Sequence, residues 1–216
     1  MRFSVKIGSA IIFALFYASS CIVSFTSLQA RELIGTFLFK KRTPRSALIY
    51  FPEDQSAKLQ AMVDQKNTRF MQSIVLGSKG EKVLFKNSDT INHNIYVDDR
   101  EAKVQFDIGL APPGSTFEQE ITWDEGTVLR LSCKIHPRMR SWVASISSPY
   151  NRVIKFKRKK KKKSFKIINI PEHLRRVKIW IPGYDALELQ LSPGKAKKVF
   201  ITKKKKKRGI LKLTLQ

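Results

Sequence analysis

With 216 residues, 42% of them apolar, the chain has enough material to bury a core, which excludes a disordered polycation. Its 42 Lys and Arg against 17 Asp and Glu give a formal net charge of +25, which points to an anionic partner: nucleic acid, anionic membrane or acidic protein.

In chain order, Arg2 and Lys6 precede an apolar run from Ile7 to Phe25 that ends in Ser27-Leu28-Gln29-Ala30, the pattern of a secretory signal peptide over residues 1–30. The alternative is an uncleaved anchor, because 19 largely apolar residues approach the length of a bilayer span. A lipoprotein reading through Cys21 is weaker: the residue three before it is Ala18, and the apolar run continues past it. All three readings export the rest of the chain, with the periplasm as the expected compartment. Export sets nucleic acid aside as partner, and no base-reading or stacking motif flanks the basic runs.

From Arg31 onward, short β-branched and aromatic runs alternate with Gly, Pro, Asn and Asp, an all-β pattern. Predicted strands cover residues 33–39, 47–51, 72–76, 82–86, 94–97, 116–121, 127–133 and 142–146. Residues 57–63 have the apolar spacing of one or two helical turns. A composition shift at Ser147-Ser148-Pro149-Tyr150 predicts a boundary, giving one domain over 31–148 and a small β domain over 149–216. Strands in the latter are predicted over 153–156, 164–170, 176–181 and 197–202, with turns at Pro182-Gly183 and Pro193-Gly194. Two lysine-rich runs, Lys157 to Lys163 and Lys203 to Arg208, repel themselves and are expected on exposed turns. His173 reads as a turn residue, and Trp123, Trp142 and Trp180 as packing aromatics.

Removal of the first thirty residues leaves Cys133 without a cysteine to pair with, so it is an inert thiol, a nucleophile or a metal ligand. Its neighbours decide: Cys133-Lys134-Ile135-His136-Pro137-Arg138-Met139 sets a thiolate, an imidazole and a thioether three residues apart on one loop after a strand. His93, 40 residues upstream, supplies a second imidazole. Thiolate and thioether suit copper, and a His₂Cys plane with a weak axial Met is the blue-copper ligand set. Zinc is the main competitor, although it rarely takes Met, and no general base accompanies the set for a catalytic zinc. A Cys133–His136 nucleophile pair is a further alternative. The arrangement points to an electron carrier and not an enzyme, with no small-molecule substrate. The rivals are a copper-delivery module using the same ligands, and a structural protein that binds anionic surfaces through its lysines.

These residues also carry a resemblance. The Cys133–Met139 loop resembles that of amicyanins, and His93-Asn94 resembles the first-ligand step of plastocyanins and amicyanins. Asp64-Gln65-Lys66-Asn67, Phe85-Lys86-Asn87-Ser88-Asp89 and Cys133 to Pro137 are similar to cupredoxin-like proteins of the methylamine-utilisation type. The resemblance covers roughly residues 35–150, and implies a Greek-key cupredoxin β-sandwich holding one mononuclear type 1 copper at His93, Cys133, His136 and Met139. It further implies that Asn94 braces the metal loop near the Cys133 sulfur. Pro137 has no N–H to donate there. His136 is then expected to reach the surface as the electron port, ringed by Arg130, Lys134, Arg138 and Arg140, which would favour an acidic redox partner. Phe165 to Pro171 with Val177 to Pro182 resembles a carboxypeptidase-regulatory-like domain, a small C-terminal β-sandwich appendage, although its lysine-rich hairpin departs from that pattern.

Overall fold

The computed structural model describes residues 30–216, so the expected signal peptide or anchor lies outside the described residues. Every regular element among them is a strand. In chain order these are β1 (Arg31–Phe39), β2 (Ser46–Tyr50), β3 (Ala61–Lys66), β4 (Arg69–Phe70), β5 (Val75–Gly77), β6 (Lys82–Asn87), β7 (His93–Asp99), β8 (Val104–Ala111) and β9 (Thr116–Glu120). There follow β10 (Val128–Ser132), β11 (Arg140–Ser145), β12 (Asn151–Lys155), β13 (Lys162–Ile170), β14 (Arg176–Trp180), β15 (Leu187–Gln190), β16 (Ala196–Lys203) and β17 (Lys206–Leu215). The all-β class read from the sequence is therefore the class observed. The helical turns expected over residues 57–63 are absent: Ala57 to Gln60 are irregular and β3 follows, because Ala61, Val63 and Gln65 alternate inward with a period of two.

Four sheets form two sandwiches. One pairs the five-stranded order β5-β11-β10-β7-β8 with the four-stranded order β4-β3-β6-β9, and encloses Val63, Phe85, Ile95, Leu129, Leu131 and Val143. Two of its strand pairs, β3 with β6 and β5 with β11, are parallel and the remainder antiparallel, so the chain crosses between sheets as in a Greek key. The other sandwich pairs the orders β13-β1-β17-β16 and β12-β2-β14-β15 around Phe37, Phe39, Ile49, Phe51, Ile179 and Leu213.

Here the expected domain boundaries need correction. Residues 31–51 do not belong with the sandwich that carries the Cys133–Met139 loop: β1 lies between β13 and β17, with Leu33 opposite Leu215, and β2 lies between β12 and β14. The second domain is therefore discontinuous, and the first is inserted into it between Phe51 and Ser148. Strand pairing, invisible to a boundary drawn from composition, decides the matter. A third apolar cluster, with Leu48, Tyr50, Ile74, Ala144 and Ile146 buried, joins the two sandwiches, and Trp142 meets Trp180 edge-on across it at 4.9 Å.

The lysine runs are only partly turns. Lys162 and Lys163 open β13, and in the second run Lys204 and Lys205 alone form the two-residue loop, both at positive φ (49° and 61°) as a type I′ turn requires. Asn or Gly usually fills such a turn; here the Asp185 carboxylate holds it, accepting from Lys204 N at 3.0 Å and Lys205 N at 2.9 Å. Close approach of backbone governs Gly209: a Cβ there would stand 2.6 Å from the Leu38 carbonyl oxygen, which its own strand fixes. Gly209→Ala is expected to lower stability by about 1–3 kcal/mol in denaturant titration, since backbone and not a flexible side chain must yield.

Candidate metal centre

Antiparallel pairing brings the site together. In the five-stranded sheet β7 runs against β10, with Tyr96 opposite Ser132, so the start of β7 lies beside the end of β10. His93 opens β7, Cys133 follows β10, and their separation of 40 positions in sequence costs no distance. β11 starts at the same end, Arg140 facing Ser132, so the loop from Cys133 to Met139 closes over one edge. His136, Pro137, Arg138 and Met139 form a β-turn closed by Met139 N donating to His136 O at 2.9 Å. Pro137 presets φ for the second position of that turn.

Three donor atoms converge. Nδ1 of His93 is 3.1 Å from Nδ1 of His136, and the Cys133 sulfur is 3.7 Å from the same His136 nitrogen. The ligand atoms of His93, Cys133 and His136 all lie within 4.8 Å of one another. His93 and Cys133 are buried and His136 half-buried. Met139 is 2% exposed and packs in the apolar cluster that contains Cys133, so the structure places all four sequence-predicted residues on one loop and its neighbouring strand.

Asp89 was not among the expected site residues. Its Oδ2 lies 3.0 Å from His93 Nε2 and also accepts from Thr68 N at 2.8 Å in the β3–β4 turn. The Thr68 N–H first, then the His93 imidazole and the Thr90 N–H, hold this carboxyl down at about 2, so it is a carboxylate at neutral pH. A carboxylate accepting from Nε2–H keeps the ring proton on Nε2 and leaves Nδ1, which faces His136 and Cys133, free to act as a ligand atom. Asn87 holds this loop in turn. Its Oδ1 accepts from Asp89 N at 3.0 Å, while its Nδ2 donates to Ile91 O and Ala111 O at 2.9 and 2.8 Å. The sequence signal was the Asn-x-Asp step with its Asp four residues before a histidine, an Asx turn that aims the Asp89 carboxylate forward.

Asn94 bridges strand and loop. Its Oδ1 accepts from Lys134 N at 3.3 Å, beside Cys133, and its Nδ2 donates to Asp107 Oδ1 at 2.6 Å and Gly109 O at 2.8 Å. On the loop Lys134 and Arg138 are exposed, as are Arg130 in β10 and Arg140 at the start of β11. Lys134 pairs with Asp107 and holds that carboxyl below its usual range, helped by the Gly109 N–H and Asn94. His173 sits in a turn far along the chain in the other sandwich, as expected.

No family model matches the chain, and no curated protein does. Among solved structures it is similar to a purple cupredoxin from Nitrosopumilus maritimus, at 22% identity over 39% of this chain and 97% of that one, with a TM-score of 0.34. It is similar to amicyanin from Paracoccus versutus at 17% identity, over 44% of this chain and 95% of that one, with a TM-score of 0.34. It is also similar to a copper-containing nitrite reductase from Thermus scotoductus at 21% identity, over 40% of this chain but 22% of that one, with a TM-score of 0.35. At these identities the likeness concerns fold alone. The chain's own strands form the Greek-key sandwich that the cupredoxin resemblance implied, here with one four-stranded and one five-stranded sheet.

The donor set fits a soft first-row ion. Bonds of roughly 2.0–2.3 Å from imidazole and thiolate to one ion imply donor separations of roughly 3.5–4 Å. The 3.1 and 3.7 Å found here need only small side-chain adjustment.

Proposed function

We propose that the chain is an exported copper protein that carries single electrons, with His93, Cys133 and His136 as the principal ligands and Met139 as the weak axial one. The convergence of two imidazole nitrogens and one buried thiol supports it most. Copper, when bound, supplies a one-electron couple that this soft donor set serves in both oxidation states. The protein's own part is to fix the donors. Asp89 sets the His93 tautomer, Asn94 ties the loop to its strand, and the β-turn at Pro137 seats His136 between core and solvent.

Nothing in this reading requires a substrate site, so we read the chain as a carrier and not an enzyme. The half-buried His136 is the port, and the exposed Arg130, Arg138 and Arg140 around it suit an acidic redox protein. The periplasm is the compartment, reached through residues 1–30. The methylamine-utilisation type and a carboxypeptidase-regulatory-like identity for the second sandwich belong to the same reading. The test is metal analysis, an optical spectrum and voltammetry of the chain loaded with copper. A strong thiolate-to-copper band with a reversible couple supports a carrier; bound copper without a reversible couple indicates delivery; preference for zinc without colour overturns both.

Two predictions accompany it. Asp89→Ala is expected to weaken copper binding by about 10–100-fold in competition with a chelator, because His93 loses its orienting partner. Replacing Lys159 to Lys163 and Lys203 to Lys207 by Ser and Gly is expected to abolish sedimentation with anionic vesicles while leaving the copper spectrum intact. Binding of the parent should fade as salt shortens the Debye length from about 10 Å at 0.1 M. Unchanged sedimentation would show that the lysines are no tether.

A further inference from the structure

Three basic segments far apart in sequence meet at one place. Lys40 N donates to Arg208 O at 2.9 Å, Phe39 N to Lys161 O at 2.9 Å, and Phe156 N to Arg45 O at 2.9 Å. The β1–β2 connection is thereby stitched both to the first lysine run and to the β16–β17 hairpin. Beside this seam a cleft of about 1120 Å³ opens between the two sandwiches. From the discontinuous sandwich it is lined by Lys41, Arg42, Arg45, Lys155, Lys203 and Arg208. Arg138 and Arg140, which flank Met139 on the metal loop, line it from the inserted one.

The lining has no compensating charge. No Asp or Glu contributes to it, and none of its eight cations takes part in an ion pair among the described residues. Like charges gathered in a concave site repel unless an anion joins them. Five of the eight cations are arginines, whose planar forks bind two oxygens of one phosphate at once. Trp142, Phe156 and Tyr184 complete the walls, and this volume exceeds what a single phosphate fills.

We propose that this cleft binds an oligophosphate group, gripped by arginine forks from both sandwiches. The site is independent of copper, and its test uses the full chain without metal. The probe is sodium tripolyphosphate, followed by calorimetry and by intrinsic fluorescence, in which Trp142 reports from the wall. Two variants remove equal charge: Arg42→Gln with Arg45→Gln and Arg140→Gln in the cleft, and Lys159→Gln with Lys161→Gln and Lys163→Gln outside it. One site per chain is expected, weakened on the order of tenfold or more in the cleft variant and only a few-fold in the outer one. Trp142→Phe should remove the fluorescence change and keep the heat. Phosphatidate vesicles form the second arm: binding to vesicles but not to tripolyphosphate, lost in the cleft variant, would overturn the oligophosphate in favour of a single-phosphate lipid headgroup. Equal loss in both variants would overturn the proposal, leaving diffuse attraction to a polycation. So would tetraglutamate binding as tightly as tripolyphosphate, because the cleft would then not distinguish phosphate from carboxylate.

Discussion

Cys133→Ser is expected to abolish the intense visible absorption of the copper-loaded chain and to lower its copper affinity by several orders of magnitude, with the fold intact. The thiolate is the softest donor of the set, and a serine hydroxyl stays protonated and hard at neutral pH. The fold survives because Cys133, 2% exposed, is one member of an apolar cluster that includes Val63, Phe85, Leu129 and Leu131. Exchange of sulfur for oxygen there removes little volume, and the new hydroxyl is left buried where the sulfur stood 3.7 Å from His136 Nδ1. A cost of about 1 kcal/mol in the metal-free chain follows from burying it. Copper content, the optical spectrum and a denaturant midpoint, read on the same preparation, check all parts. Retained colour would remove Cys133 from the ligand set, whereas an unfolded variant would mean that the thiol is structural.

The largest effect on stability is expected from Asn87→Ala. Asn87 is 1% exposed, and its side chain makes three hydrogen bonds, to Ile91 O, Ala111 O and Asp89 N. Ala111 is itself 1% exposed, so its carbonyl would lose an amide and gain no water. At about 1–3 kcal/mol for a buried polar group left unpaired, and less for the groups that water reaches, the loss should be about 2–4 kcal/mol. Urea denaturation of the metal-free chain measures it. The same substitution frees the loop that carries Asp89, so copper affinity should fall in parallel although Asn87 touches no candidate ligand. Asn87→Asp separates the two roles: it keeps the acceptor for Asp89 N but loses both donors and buries a charge, and should be no more stable than the alanine variant. An unchanged midpoint for both variants would dismiss the account.

What could be read from the sequence followed from local chemistry. Strand positions emerged wherever period-two alternation was strong, as at Val83 and Phe85, and the metal loop because three soft or borderline donors stood three residues apart. β8 escaped notice, since Gln105, Asp107 and Gly109 face outward on an edge and dilute its apolar signal. β17 was hidden by its own opening lysines. Asp89 and Asn87 stood in a quoted motif but received no role, because the bond to His93 depends on how a loop folds back and not on residue type. The domain boundary failed for a related reason: composition changes at Ser147, but which strands pair with β1 depends on contacts across more than a hundred residues.

That interleaving sets an order of assembly. Tyr50 at the end of β2 faces Asn151 at the start of β12, so the inserted sandwich leaves and rejoins its host through one narrow neck. A chain emerging amino end first completes all strands of the insert by Ser145, while β1 and β2 still lack β13, β14 and β17. The insert can close on its own contacts; the host must hold Phe37, Phe39 and Phe51 uncovered until the final strand arrives to lie against β1. Long-range pairing of this kind is slow and leaves sticky edges open in the interval. A nascent chain stalled before Lys206 would therefore present a finished metal-loop sandwich tethered to an aggregation-prone half-host, and rapid emergence of the last ten strand residues becomes part of how this protein reaches its folded state.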